Sequence, residues 1–480
     1  MPKKKRASNN DAPKKSYLKV LAILILIERP ARIKSFIDKE VCDDDLPLLM
    51  KLPRGNIGPC QFYSRLEGER DGPLECFDKW SGQEKKAFED HQWRVVARIF
   101  KRGEKKLVDH LKFLPHDILP FTFHGKEKRL GGFGHVNKVS IHPSHHNFEA
   151  CGKFFAVKTL RPHNMISTGN LFRREVAILR RISHDTHTHL ISLLATYEHH
   201  DCYHLIFSWA EHDLEEYWKR HRSEGKQTLM WLAEQCHGIV GGLEFIQYFP
   251  TQSGWSLLQQ DPDPETVQRR IQSRGAVTSS GNVIRHLYGR HGDIKPRNIL
   301  WFADTSRSSP IYGRPRGTLK ITDFGFADFS KNCEVDRQSL VYGIVHTHTY
   351  RAPEVDFVEE LLSPLTDIWS LGCVFLEFIT WFFEGWKLIE EFSRKRLDSE
   401  RTGMTGKCEN TASDTFFFTR EDKMSKKLVP ETKKAVSIHI NELKERAKVG
   451  GFARDFLVMI ENDMEQGWMN QFNSDTDNDD

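Results

Sequence analysis

Arg290-His291-Gly292-Asp293-Ile294-Lys295-Pro296-Arg297-Asn298 is the stretch on which the reading of this chain turns. It sets a carboxylate (Asp293), a cation two residues on (Lys295) and an amide five residues on (Asn298) in one short loop. Phosphoryl transfer uses that set: a carboxylate to orient a hydroxyl, a positive charge near the γ-phosphate and an amide oxygen for Mg²⁺. Alone the run is moderately specific, and its weight comes from what stands around it in the same chain.

Upstream, Phe155-Ala156-Val157-Lys158 reads as an apolar strand that delivers an ammonium into a cleft. Seventeen residues later Glu175 falls on an expected helix, where it can hold Lys158 toward α- and β-phosphates. Each alone is commonly a surface charge. Gly131-Gly132-Phe133-Gly134-His135-Val136 reads as a strand–turn–strand whose glycines let backbone N–H groups approach phosphates. Taken alone the glycine cluster is weak evidence, and a plain hairpin turn is the simpler explanation of it. Downstream, Lys320-Ile321-Thr322-Asp323-Phe324-Gly325 places a carboxylate at a strand end, able to chelate Mg²⁺ while Phe324 packs beneath it. Tyr350-Arg351-Ala352-Pro353-Glu354 and Asp367-Ile368-Trp369-Ser370-Leu371-Gly372 follow in order.

At 480 residues the chain has room for two to four folding units. Its net charge is +4, of which the first fifteen residues (six Lys/Arg, one Asp) contribute +5, so the remainder is near −1. No global basic field exists, and no nucleic-acid partner is expected. Nine Cys without a C-x-x-C pair argue against a disulfide framework or zinc ribbon and for a reducing compartment. The apolar run Val20–Ile27 is too short to span a bilayer, and Glu28-Arg29-Pro30 follows where a signal peptide would need small residues. No membrane association is expected, and Tyr17–Ile27 reads as a buried helix. Pro2-Lys3-Lys4-Lys5-Arg6 fits either a nuclear-import signal or a solvated arm, so the expected location is intracellular, cytoplasmic and/or nuclear.

Residues 1–15 read as a disordered basic tail and 16–118 as a mainly helical accessory region without a catalytic constellation, a packing or interaction module with a possible protein partner. Strand-like segments then gather at 128–134, 136–141, 153–159, 190–197 and 204–207 around a helix at 170–182. After Asp213 the pattern is mainly helical. Pro250–Arg285, Ala303–Gly317 and Arg394–Lys427 read as surface insertions, and 471–480 as an acidic tail.

With these motifs in place, the chain from about 119 to 465 resembles the eukaryotic protein-kinase domain. The whole chain also resembles kinase-domain proteins of filamentous fungi, through the Leu46-Pro47 and Gln92-Trp93 region. The resemblance implies an α+β bilobal protein-kinase-like fold: a small β-rich N-lobe (119–207), a hinge (208–210) and a larger α-helical C-lobe (211–470). It implies ATP and Mg²⁺ as cofactors, a protein substrate, and Ser/Thr specificity because Lys stands two after the Asp. By the same resemblance Asp293 is the catalytic base, Lys295 neutralises the γ-phosphate, and Asn298 and Asp323 bind Mg²⁺. Lys158 and Glu175 form the activating ion pair, and Gly131, Gly132 and Gly134 cover the phosphates. Val136 and Ala156 sandwich adenine, Phe207 is the gatekeeper and Asp213 lies near the ribose. Thr347 joins the substrate platform and Asp367 braces the catalytic loop.

Three positions depart from the family pattern. Arg129 replaces the first glycine of the phosphate loop. Gly292 stands where regulated kinases carry the Arg that answers to a phosphorylated activation loop, so activity is expected to be independent of such phosphorylation. Glu354 lacks its usual late Arg, leaving Arg446 and Arg454 as candidate partners, and the closing helices are expected to be absent.

A catalytically dead scaffold with an incomplete C-lobe is the alternative reading. A small-molecule kinase of the aminoglycoside or choline type also uses His-Gly-Asp followed by Asn, but lacks the Asp323-Phe324-Gly325, Ala352-Pro353-Glu354 and Asp367 elements. The His142/His145/His146 and His184/His187/His189 groups fall in expected loops without Cys and read as solvated rather than metal-binding.

Overall fold

The computed structural model describes residues 15–51, 60–64, 72–102, 108, 110–124, 129–131, 134–148, 152–160, 165–184, 187–221, 226–250, 286–304, 317–330, 348–356, 363–401, 414–421 and 428–472. The basic tail up to residue 14, Gly132, Thr347, residues 251–285 and 305–316 of the expected insertions, and the end of the acidic tail lie outside them.

The N-terminal unit begins with α1 (Leu18–Leu26) and α2 (Ile33–Asp38). In α1 the i, i+3, i+4 set Val20, Ile23 and Leu24 is fully buried, whereas Leu18, Ile25 and Leu26 are exposed. The expected buried helix is thus present but interior along one stripe only. Asp43 caps it from afar, accepting from the Ser16 hydroxyl at 2.6 Å and from the N–H groups of Lys19 and Val20 at 2.9 and 3.0 Å. Strands β1 (Leu49–Lys51) and β2 (Gln61–Tyr63) form a short hairpin, and α3 (Gly82–Val95) starts with a Ser81/Glu84 capping box. Phe36, Phe62, Phe77, Trp80 and Phe88 fill the middle. The fully buried Gln92 side chain donates to the Leu48 carbonyl at 3.2 Å and accepts its N–H at 2.8 Å. An amide thus does for Leu48 what a neighbouring strand would.

The β-rich half is a seven-stranded sheet. Its strands are β3 (His110–Lys112), β4 (Phe121–Phe123), β5 (Arg129–Gly131), β6 (Gly134–Ile141), β7 (Phe155–Leu160), β8 (Ala195–His199) and β9 (Cys202–Ser208). The order is β3-β8-β9-β7-β6-β4, with β5 also paired to β6. The long α4 (Met165–His184) sits between β7 and β8 in the chain. The sheet reaches back further than residue 119: β3 runs parallel to β8, and Phe100 and Phe113 share a core with Val139, Phe155 and Ile206. A three-residue strand shows no period in a sequence, which is why His110–Lys112 read as part of the preceding region.

After the β10 pair (His212–Asp213) come α5 (Leu214–Arg220), α6 (Lys226–Gln247) and β11 (Tyr248–Pro250). Strands β12 (His286–Arg290), β13 (Ile299–Ala303), β14 (Gly317–Ile321) and β15 (Asp328–Ser330) follow. Helix α7 (Leu365–Glu384) is long and apolar enough by composition to cross a membrane, but 78% of that window is buried inside the protein. It is the central core helix.

Of the expected irregular insertion at 394–427, residues 402–413 and 422–427 lie outside the described residues, and the described parts correct the expectation: 394–401 end helix α8 (Trp386–Arg401), and β16 (Phe417–Glu421) forms a hairpin with β17 (Leu428–Thr432). Arg396, 1% exposed, reaches Glu377 at 3.0 Å and Asp414 at 2.7 Å, with its guanidinium 4.2 Å from the ring centres of both Phe392 and Phe416. Helices α9 (Lys434–Arg446) and α10 (Phe452–Phe472) then pack on α7, so the closing helices thought absent are present. Arg446 and Arg454 do not serve Glu354. Arg446 pairs with Glu384, and Arg454 donates to the Lys444 carbonyl.

Candidate active site

β12 ends at Arg290 and β13 begins at Ile299, so the signature stretch is the connection between them. Buried Asp367, near the start of α7, fixes its beginning. Its two carboxylate oxygens accept the N–H groups of His291 at 2.6 Å and Gly292 at 2.8 Å. Burial raises the Asp367 pKa, partly offset by His291 and Arg290. Gly292 has φ +80°, and an added Cβ would lie 3.0 Å from the Phe326 carbonyl oxygen, so the turn needs glycine. His291 is fully buried, with Nε2 3.0 Å from the Thr322 carbonyl and its ring edge-on to Phe324. The loop is thereby tied to the strand end that carries Asp323.

Within the loop, Asp293 is the hub. Lys295 Nζ lies 2.7 Å from Asp293 Oδ2, and the Asn298 amide donates to Asp293 Oδ2 and to its carbonyl, both at 2.8 Å. With the nitrogen of Asn298 so used, its remaining group is the oxygen, the atom a hard cation would take. Thr322 N–H donates to the Asn298 carbonyl at 2.9 Å, which sets Asp323 alongside.

Lys158 joins the halves. Its Nζ stands 2.7 Å from Glu175 Oε1 on α4 and 2.8 Å from Asp323 Oδ1. Against the effect of burial, these two carboxylates hold the Lys158 ammonium above its usual range. Asp323 is lowered, burial notwithstanding, chiefly by Lys158, while burial outweighs the ion pair at Glu175 and raises it. Asp323 adopts a left-handed backbone (φ 67°, ψ 74°), a conformation that Asp tolerates better than most residues. The turn drives Phe324 inward, to 1% exposure, and leaves Asp323 in the cleft.

The register places further expected residues on one face. Val136 lies opposite Lys158 across β6–β7, and Ala156 is two residues from Lys158, so the three share a side of the sheet. Ala156 is also opposite Phe207 of β9. Gly134 packs so closely on β7 that a Cβ would sit 2.0 Å from the Thr159 carbonyl oxygen, which gives this glycine a structural reason of its own. Gly131 and Arg129 pair with Gly134 and Val136 in β5–β6. Asp213 pairs with Leu300 and caps α5 by accepting the Glu216 N–H at 2.9 Å, so its observed task is a helix cap. The sequence reading missed the buried ion pair of Arg290 with Asp328 (3.0 Å), which sit opposite each other in β12–β15. Nothing in the spacing announces it, because Asp328 lies outside the quoted motifs and 38 residues from Arg290.

Comparison with known proteins agrees with this geometry. The protein kinase domain family matches residues 276–418. The chain contains a eukaryotic protein kinase domain. Cyclin-dependent kinase 8 of Drosophila melanogaster is 26% identical over 266 residues, 54% of this chain and 46% of that protein. The serine/threonine-protein kinase SSN3 of Yarrowia lipolytica is 27% identical over 252 residues, 52% of this chain and 49% of that one. Cyclin-dependent kinase E-1 of Arabidopsis thaliana is 26% identical over 210 residues, 43% and 34%. The chain spans half or less of the length of these relatives.

Proposed function

We propose that this chain is an ATP-dependent protein serine/threonine kinase. The supporting observation is the convergence of Lys158, Glu175 and Asp323 at one point, beside the Asp293–Lys295–Asn298 loop. Among the described residues no three His, Cys, Asp or Glu side chains are arranged to hold an ion unaided. Two oxygen donors, from Asn298 and Asp323, suit Mg²⁺, which keeps waters and takes phosphate oxygens as its other ligands. Bound Mg²⁺·ATP supplies the phosphoryl group. With nucleotide bound, Lys158, held by Glu175, would serve the α- and β-phosphates, Lys295 would neutralise the transferred phosphate, and Asp293 would orient the incoming hydroxyl and take its proton.

Several of the relatives are named as serine/threonine or cyclin-dependent kinases, which supports the substrate class. We place any protein partner at the N-terminal unit, and the location in cytoplasm and/or nucleus, as further parts of this proposal. The test is transfer of ³²P from ATP to a peptide library and a generic basic protein, wild type against Asp293→Asn. Transfer that falls at least about a hundredfold in the variant supports the reading. Equal signal from both, or none from the wild type, sinks it and leaves a nucleotide-binding scaffold.

A further inference from the structure

Glu175 can hold Lys158 only while α4 stays against the sheet, and the segment before residue 119 touches that helix. β3 adds to the sheet edge beside β8, in the register His110↔Thr196 and Lys112↔Glu198. From that edge the His110 ring meets Phe172 of α4 at 5.7 Å, and its Nδ1 lies 3.1 Å from the Thr196 hydroxyl. Phe172 stacks in turn on Tyr203 of β9, with ring centres 4.3 Å apart. Val108, 7% exposed, lies in one apolar cluster with Phe172, Val176 and Leu179. Phe172 and Leu179 stand three before and four after Glu175, on the helical face that carries it.

The segment is itself anchored at both ends. Phe100 is fully buried and its N–H donates to the His145 carbonyl at 2.9 Å, while Arg102 donates to the Ser192 hydroxyl at 3.0 Å. At the other end Phe113 is 4% exposed and its N–H donates to the Glu198 carbonyl at 2.9 Å.

We infer that Val108 and His110 are positioning residues for phosphoryl transfer: Val108, ahead of β3, and His110, on β3, hold α4 where Glu175 meets Lys158. The chain thus fixes its own catalytic helix without an added protein. This rests on the kinase reading for its consequence in rate, but not for its consequence in structure.

The experiment uses the purified full-length chain with no added partner. Initial rates against ATP are measured for wild type, the double variant Val108→Ala/His110→Ala, Glu175→Gln, and the triple variant. Hydrogen exchange is followed along α4 in the first two. We expect the double variant to lose at least about tenfold in kcat while KM for the protein substrate moves less than about twofold, and a Val108→Ile/His110→Gln chain to recover most of the rate. In the Glu175→Gln background the same two alanines should cost less than about twofold, because the contact they support is already gone. Equal losses in both backgrounds overturn the inference, as does unchanged exchange of the 172–184 amides in the double variant. If the wild type transfers no phosphate, the kinase reading fails, and exchange at α4 alone decides for or against the brace.

Discussion

The Arg396 guanidinium and the Glu377 carboxylate form an ion pair of 3.0 Å in which neither side chain is more than 3% exposed. Tyr350 donates to the second Glu377 oxygen at 2.7 Å, which ties the chain just before Ala352-Pro353-Glu354 to the middle of α7. Burial raises the Glu377 pKa, and Arg396 opposes that rise. Replacing Arg396 by Ala strands a carboxylate in the core, and the expected loss is about 3–5 kcal/mol. The double variant Arg396→Met/Glu377→Met should recover part of it, since two apolar groups need no partner. Urea unfolding midpoints of the three chains check both statements.

Activation by phosphorylation should be dispensable. Residue 292 presents no cation, and its φ of +80° suits glycine. The nearby Arg290 is buried and already engaged with Asp328, so it too is unavailable to an added phosphate. Ser330→Ala/Ser339→Ala is expected to keep initial rates within about threefold of wild type. A tenfold loss, about 1.4 kcal/mol in barrier, would refute this. Ser339 lies outside the described residues and enters on sequence alone.

Acid should weaken the fold through two histidines. Burial pushes His204 down to about 4 and His439 to about 3 from the ordinary 6.5. Both stay neutral in the folded chain, whereas the unfolded chain takes up protons as soon as the pH passes below 6.5. Stability is therefore fully present above about pH 7 and declines toward pH 4, by up to about 1.4 kcal/mol per pH unit for each group. His439 stacks on Phe392 with ring centres 3.9 Å apart, so His439→Phe keeps the shape and removes the proton acceptor. The gap in Tm between about pH 7.5 and pH 5 should narrow in that variant.

The N-terminal unit depends on one amide. Gln92→Leu leaves both the N–H and the carbonyl of buried Leu48 without the side-chain partner seen here. A loss of about 1–3 kcal/mol is expected. It should appear as faster exchange of the Leu48 amide, with the C-lobe amides unchanged. Uniform loss of protection across the chain would show instead that the unit and the kinase domain unfold together.

What could be read in advance was local. The 290–298 loop, Phe155–Lys158 and Lys320–Gly325 each carry their chemistry within a few neighbouring residues. The helix-like stretch at 170–182, with Glu175 on it, likewise marked α4. Contacts between distant segments were not legible. Arg396 fell in a stretch judged irregular by its polar residues, although Leu388, Ile389 and Phe392 at helical spacing were a usable signal. Arg446 and Arg454 are the last two arginines in the chain and were for that reason the expected partners for Glu354. Position along a sequence says little about which side chains meet. β3 escaped notice because three residues are too few to show alternation, and its place was set by the vacant edge of β8.

That edge has a practical side. A fragment cut at residue 119, where the motifs suggest a domain starts, would lose Phe100, Val108 and Phe113 from two cores and strip β8 of its outer neighbour. Bare backbone beside fresh apolar surface invites other chains to pair with it. Truncations meant for crystallisation or expression should begin before Phe100, and an insoluble shorter fragment would say nothing against the proposed function.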